Sequence, residues 1–134
     1  MYRMSATLGK DYKLCSRERI SEIFEAKRSI RHFPLVMHYL CTHEPHEKTP
    51  FKIVLSAPKR TFRKAVERNR IKRLLRESVR KNKLILELFL NQHNAQVYLF
   101  LIYTGKEEIA ASVLDNKLNI LFNELTKRLS NEIL

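Results

Sequence analysis

The chain has 134 residues, about 44% of them apolar, and a formal net charge of +12 at pH 7. That length fits one domain, and the charge points to a polyanionic partner, either a nucleic acid or a membrane surface. Two cysteines, Cys15 and Cys41, exclude a disulfide framework and favour a reducing compartment. Without a signal-peptide pattern or a run of about twenty apolar residues, we expect a cytoplasmic protein.

The first half of the chain predicts one helix and two strands. Residues 1–13 show no clear period and are expected to be loosely held. Ser16 is a candidate N-cap for a helix that ends near Arg28. Residues 33–42 and 51–57 alternate like strands, and the polar residues 43–50 between them are interpreted as a hairpin loop. In both strands the odd-numbered positions form the bulkier apolar face, so we expect helices on that face and an open face opposite.

The second half predicts a long helix from about Arg63 to Asn82, continuing with or without a break to Leu90. Residues 97–103 are apolar without alternation, which is typical of a well-buried strand. A last helix over residues 112–129 carries an apolar stripe assigned to the core: Leu114, Leu118, Leu121, Phe122, Leu125 and Leu129. The order of elements predicts a single α+β domain over residues 1–134, a small two-layer sandwich with helices packed on one face of a mixed sheet.

The positive charge is concentrated in one stretch. Residues 59–83 contain twelve basic residues and only two acidic ones, Glu67 and Glu77. On a helix Arg68, Lys72 and Arg76 form one row. The opposite side is predicted to pack on the sheet and consists of Val66, Ile71, Leu74, Leu75 and Val79. Because like charges at this spacing repel, the row favours a bound phosphate backbone over a merely solvated face.

The same stretch resembles a known family. Ala65-Val66-Glu67-Arg68-Asn69-Arg70-Ile71-Lys72-Arg73, followed by Arg76-Glu77, is similar to the Arg-Asn-Arg motif of the bacterial ribonuclease P protein subunit. The segment from Ser56 to Arg60 matches the family's Ser-x-x-Lys-[Lys/Arg] pattern, and Phe24 matches an aromatic near the end of its first helix. The family usually has a glycine before the motif helix, where this chain has residues 61–64. The resemblance covers about residues 14–129.

The resemblance implies a ribosomal protein S5 domain 2-like fold with a left-handed βαβ crossover. It implies an accessory subunit of the endoribonuclease that removes the 5′ leader of precursor tRNA, with catalysis by an RNA subunit that uses Mg²⁺. No cofactor or metal of the protein's own, no membrane and no DNA partner are expected. The residues expected to bind the RNA subunit are Lys59, Arg60, Arg63, Lys64, Arg68, Asn69, Arg70, Lys72, Arg73, Arg76 and Arg80. Those expected in a cleft for the leader are Phe24, His38, Lys52 and Ser56. Tyr39 is the alternative to His38, which strand parity favours.

Other interpretations remain open at this point. A ribosomal or other structural RNA-binding protein would explain the charge equally well, and a DNA-binding module is a weaker alternative because no paired recognition helix is evident. Phe24 also fits plain core, since it lies on the apolar stripe of its helix. Cys41, His43 and His46 lie close in sequence, but the chain offers no second pair of ligands, so a metal site is not predicted.

Overall fold

The structure is a computed structural model that describes residues 8–44 and 47–133, and it contains a mixed four-stranded sheet and three α-helices. The α+β class is as predicted. None of the helices in this described part is long and apolar enough to cross a membrane.

The first helix, α1 (Arg17–Glu25), begins where the sequence predicts. The Oγ of Ser16 accepts a hydrogen bond from the backbone N–H of Arg19 at 3.2 Å, which satisfies one of the unpaired donors of the first turn. The helix ends at Glu25, and Lys27 has a left-handed φ of 53°. The chain therefore leaves the helix slightly earlier than Arg28.

The strand predicted over residues 33–42 begins at Leu35, and a further strand that was not predicted precedes it. β1 (Ser29–His32) and β2 (Leu35–Thr42) form an antiparallel hairpin around Phe33 and Pro34. Phe33 is 72% exposed, so its assignment to the core face is wrong. From Leu35 onward the predicted alternation holds.

The interpretation of residues 43–50 as a hairpin loop is wrong. β3 (Phe51–Ser56) does not pair with β2, because β4 (Gln96–Tyr103) lies between them. β4 is antiparallel to β2 and parallel to β3. A continuous apolar strand is suited to the central position, since both of its faces are covered. The β3–helix–β4 unit is thus a parallel crossover, and its left-handedness stays a prediction.

The long helix α2 (Ala65–His93) is continuous, and the next residue, Asn94, caps it with a left-handed φ of 51°. The last helix, α3 (Ala111–Ile133), buries its whole predicted stripe. Val66 was expected to pack on the sheet but is 69% exposed. At about 100° per residue, Val66 points nearly opposite to Leu75, which explains why Leu75 is buried and Val66 is not.

The helices lie on both faces of the sheet. α2 and α3 cover the face of the odd-numbered strand residues, such as Met37 and Leu99. α1 packs on the even-numbered face, where its Ile23 is fully buried in a second small cluster with Leu14 and Tyr98. The expectation of helices on one face therefore holds for the two long helices only, and α1 leaves the even-numbered face partly open.

The segment before α1 is more ordered than expected. Residues 1–7 lie outside the described residues, but Lys10–Tyr12 form a 3₁₀ turn and Lys13 makes a parallel bridge to Ile53 of β3. Tyr12 is buried, and its hydroxyl donates a hydrogen bond to Glu87 of α2 at 3.0 Å. This side chain anchors the segment, which polarity alone would not predict.

Candidate nucleic-acid interface

The segment between β3 and α2 displays the first predicted basic residues. The backbone N–H groups of Thr61 and Phe62 donate to the carbonyl of Pro58, and these bonds form a turn. Phe62 is buried, and the centroid of its ring lies 5.9 Å from that of the Tyr103 ring. No residue from 59 to 64 has a positive φ, so the turn does not require a glycine. The exposed basic side chains of the segment are Lys59, Arg60, Arg63 and Lys64, and we call residues 59–64 the basic turn.

Arg68 is positioned for a structural task. Its Nη1 donates to the carbonyl oxygens of Phe62 and Arg63, each at 2.9 Å, and the side chain is half-buried. Arg68 therefore ties the basic turn to the first turns of α2. Helix geometry predicts that Arg68 is as free to bind a ligand as Lys72 and Arg76. Its guanidinium instead donates two of its hydrogen bonds within the protein.

The N-terminal half of α2 carries side chains that remain available for a ligand. Within residues 8–44 and 47–133, no acidic group forms a salt bridge with Lys72, Arg73 or Arg76. Asn69 is also exposed on this part of the helix. We call Asn69, Lys72, Arg73 and Arg76 the basic strip. Because the carboxylates that would neutralise these cations are missing, the strip is suited to phosphate oxygens.

The remaining predicted cations on α2 are paired. Arg70 lies 3.9 Å from Glu108, and Arg80 makes a two-point contact with Glu77. The Arg80 hydrogen bond lowers the pKa of the Glu77 carboxyl. Lys83 is buried and pairs with Glu87, so it contributes nothing to the surface charge of this stretch.

The even-numbered face of the sheet forms a cleft beside α1. Phe24 and His38 have ring centroids 4.7 Å apart, and the ring of Phe100 lies 4.9 Å from Phe24 in an edge-on arrangement. Phe24 is 41% exposed, so part of its ring faces solvent. The interpretation of Phe24 as plain core therefore does not describe it. The sequence did not predict Phe100 as a cleft residue. Its even number was a signal, but the sequence does not reveal that β4 is the neighbour of β2.

His38 is half-buried on the cleft side of β2, whereas Tyr39 is buried on the other face. Burial, reinforced by the positive charge of Arg31, lowers the pKa of His38. The imidazole is consequently held neutral near pH 7, and it offers an aromatic surface and one ring N–H.

The other two predicted cleft residues lie on β3, separated from β2 by β4. Ser56 is half-buried opposite Ile102, at the end of the strand away from Lys52. Lys52 forms a salt bridge with Glu47 at 3.2 Å, and Glu47 also accepts a hydrogen bond from Tyr98. These contacts lower the pKa of Glu47, the Tyr98 hydrogen bond being the largest cause.

Arg19 of α1 lies at the Lys52 end of the cleft. Its guanidinium lies 4.7 Å from the centroid of the Tyr98 ring and bonds to Glu44 at 2.7 Å. Arg19 and Tyr98 were not predicted as cleft residues. Together with Lys52 they form a polar end whose cations are already neutralised by the loop before β3.

Among the described residues, no three His, Cys, Asp or Glu side chains are close enough to hold a metal ion. His46, one of the sequence candidates, lies outside the described residues. Burial raises the pKa of the Cys41 thiol to about 11, which leaves it largely protonated at neutral pH.

Comparison with known proteins gives consistent matches. The Ribonuclease P family model matches residues 8–126. The ribonuclease P protein component of Porphyromonas gingivalis is 35% identical over 91 residues, which is 68% of this chain and 64% of that relative. The match thus spans somewhat less than two thirds of that relative's length. The component from Exiguobacterium is 38% identical over 53% of this chain and 58% of its own.

Two solved structures have the same fold. The RNase P protein of Staphylococcus aureus superposes with a TM-score of 0.67 at 19% identity, covering 87% of this chain and 96% of that one. The RNase P protein of Thermotoga maritima gives a TM-score of 0.64 at 20% identity, covering 83% of this chain and 96% of its own.

Proposed function

The chain belongs to the Ribonuclease P protein family, and on this basis we propose that it is the accessory protein subunit of a ribonucleoprotein that removes the 5′ leader from precursor tRNA. It binds the catalytic RNA subunit through the basic turn and the basic strip, and it binds the leader in the cleft beside α1. The single observation that carries the proposal is the basic strip, because its cations form no salt bridge with a described residue and lie on the helix that carries the motif.

Charge supports the RNA-subunit surface. The exposed cations of residues 59–64 lead directly into Lys72, Arg73 and Arg76, and Arg68 fixes the turn relative to the helix. A phosphate backbone along this surface relieves the repulsion between the cations and releases counterions. Guanidinium groups also bind phosphate through two donors at once.

Aromatic geometry supports the leader cleft. A single-stranded base can stack on the exposed part of Phe24, which Phe100 and His38 hold in place. Lys52 and Glu47 form a salt bridge in the free protein. Lys52 therefore binds a leader phosphate only when this salt bridge breaks.

In this proposal the residues of this chain bind the RNA subunit and orient the leader. The RNA subunit and the Mg²⁺ that it uses carry out the hydrolytic step. The protein holds no metal or cofactor of its own and works in the cytoplasm. Its contribution is to place the leader and to neutralise phosphate charge near the RNA.

Reconstitution tests the proposal. The purified chain is mixed with the RNA subunit and precursor tRNA at low Mg²⁺, and leader removal is measured by gel. We expect faster removal than with RNA alone. No stimulation would contradict the proposal, and equal binding of precursor and mature tRNA together with co-sedimentation on ribosomal subunits would favour a ribosomal role instead.

A further inference from the structure

A groove of about 520 Å³ lies beside the basic strip, between the segment before α1, the outer edge of β3 and α2. Its walls are apolar at Leu8, Leu14 and Leu55, and four cations line it within the described part of the chain. The cations are Lys10, Lys13, Lys72 and Arg76. Among residues 8–44 and 47–133, no acidic side chain lines this groove, although the chain has fourteen acidic residues.

Two of these cations come from a segment that the motif does not include. Lys10 is in the 3₁₀ turn and Lys13 is the residue that bridges to Ile53. The backbone N–H of Leu14 also donates to the carbonyl of Ile53 at 3.2 Å. The segment therefore runs along the edge of β3 and brings its lysines to the same groove as Lys72 and Arg76.

A buried network holds this segment in position. The Nζ of Lys83 donates to the hydroxyl of Tyr12 at 2.8 Å, and that hydroxyl donates to Glu87. Asp11 is next to Tyr12 but does not line the groove, and its carboxylate lies 3.8 Å from Lys48. The network thus holds the backbone that carries Lys10 and Lys13, and the Asp11 carboxylate is paired with Lys48 outside the groove.

We propose that the RNA-binding surface continues from the basic strip into this groove, where Lys10 and Lys13 bind phosphates of an unpaired RNA nucleotide whose base rests on the apolar wall. The inference rests on the proposed function and adds a binding segment outside the motif helix. Charge complementarity selects a polyanion, and continuity with Lys72 and Arg76 selects the RNA that already lies on the strip. The apolar wall suits a base outside a duplex, because stacking on neighbouring bases covers the faces of a base within one.

The salt dependence of binding distinguishes the phosphate contacts of the lysines from the apolar contact of the base. Each phosphate contact contributes about 0.7 to 0.9 to the slope of log affinity against log salt. The double substitution Lys10→Ala/Lys13→Ala should therefore reduce the slope for binding of the RNA subunit by roughly 1.4 to 1.8, and lower the affinity on the order of tenfold or more at low salt. Leu8→Ser should weaken binding severalfold and leave the slope unchanged, because it removes an apolar contact.

The matched control is Lys106→Ala/Lys127→Ala, since both lysines are exposed and neither lines the groove. Thermal unfolding of every variant checks that the fold is retained. Arg73→Ala is measured in parallel. If Arg73→Ala lowers the slope and the Lys10/Lys13 variant does not, the groove inference is overturned while the proposed function stands. If neither changes it, the proposed RNA surface fails as well.

A tethered probe gives a second readout. Fe–EDTA is attached to Lys10→Cys in a Cys15→Ala background, where the largely protonated Cys41 reacts slowly. We expect cleavage confined to a few unpaired nucleotides of the RNA subunit, and none at these nucleotides from Lys127→Cys. Cleavage that is diffuse, or identical from both positions, would overturn the proposal.

Discussion

The ring of Phe24 lies 4.7 Å from the imidazole of His38, centroid to centroid, and this contact joins α1 to β2 across the open face of the sheet. Because Phe100 supports the same ring from β4, Phe24 is fixed in orientation yet remains 41% exposed. A ring held in this way is a ready stacking surface for a base.

Replacing Phe24 by Ala should weaken binding of precursor tRNA to the reconstituted holoenzyme by about 1–3 kcal/mol, the range found for loss of one stacked base. Binding of mature tRNA should hardly change. Equilibrium binding of the two tRNAs measures the difference. Phe33→Ala is the control, because Phe33 is an exposed aromatic in the β1–β2 turn, and equal losses for both tRNAs in the Phe24 variant would contradict the cleft.

Stability should depend on pH through His38. Its pKa is lowered below the ordinary value of 6.5, mainly by burial, so the unfolded chain takes up the proton first as the pH falls. The free energy of unfolding should therefore decrease from about pH 7 downward, and the decrease should be smaller in His38→Gln. Urea unfolding between pH 5 and 8 measures this. An unaltered profile in His38→Gln would refute the assignment.

Removing the carboxylate of Glu47 should release Lys52 for the leader. Glu47→Gln should strengthen precursor binding at low salt and increase the log–log salt slope by up to about 0.7 to 0.9, the value of one added phosphate contact. Mature tRNA should bind as before. Glu124→Gln, which removes a surface pair with Arg128 on α3, is the control. A weaker binding of precursor by the Glu47 variant would mean that the pair organises the cleft instead of blocking it.

Arg73 and Arg68 should respond differently to substitution. Arg73→Ala should lower the salt slope for RNA-subunit binding by about 0.7 to 0.9 without changing stability, because the side chain has no partner in the described structure. Arg68→Ala should also destabilise the protein by about 1–3 kcal/mol, since two backbone carbonyls lose a charged donor. Salt titrations and urea unfolding separate the two effects, and identical behaviour of the variants would contradict the structural role of Arg68.

The buried pair of Lys83 and Glu87 should be sensitive to removal of one partner. Nζ and Oε1 are 3.0 Å apart, and the two side chains are 4% and 1% exposed. Glu87→Ala leaves a buried ammonium and should cost about 3–5 kcal/mol in the free energy of unfolding. The double variant Lys83→Met/Glu87→Leu should lose much less. Glu124→Ala, at an exposed pair, should cost less than about 1 kcal/mol; a similar cost for Glu87→Ala would refute the role of the buried pair.

Local patterns in the sequence determined much of this protein. The cap at Ser16, the alternation of β2 and β3, the stripe of α3 and the basic stretch with its motif are all encoded by neighbours within a few turns. They sufficed to predict the α+β class, the family and the surface that carries the positive charge. Helix period and strand parity act over short distances, so a single sequence reveals them.

Tertiary structure alone decided which segments meet. The insertion of β4 between β2 and β3 places Phe100 under Phe24, and no local pattern encodes that pairing. Residues distant in sequence likewise neutralise Lys52 and bury Lys83, although both are indistinguishable from free lysines in the sequence. The anchoring of Tyr12 on α2 brings two further lysines beside the basic strip. Charge that a sequence displays becomes a binding surface only where the fold leaves it unpaired.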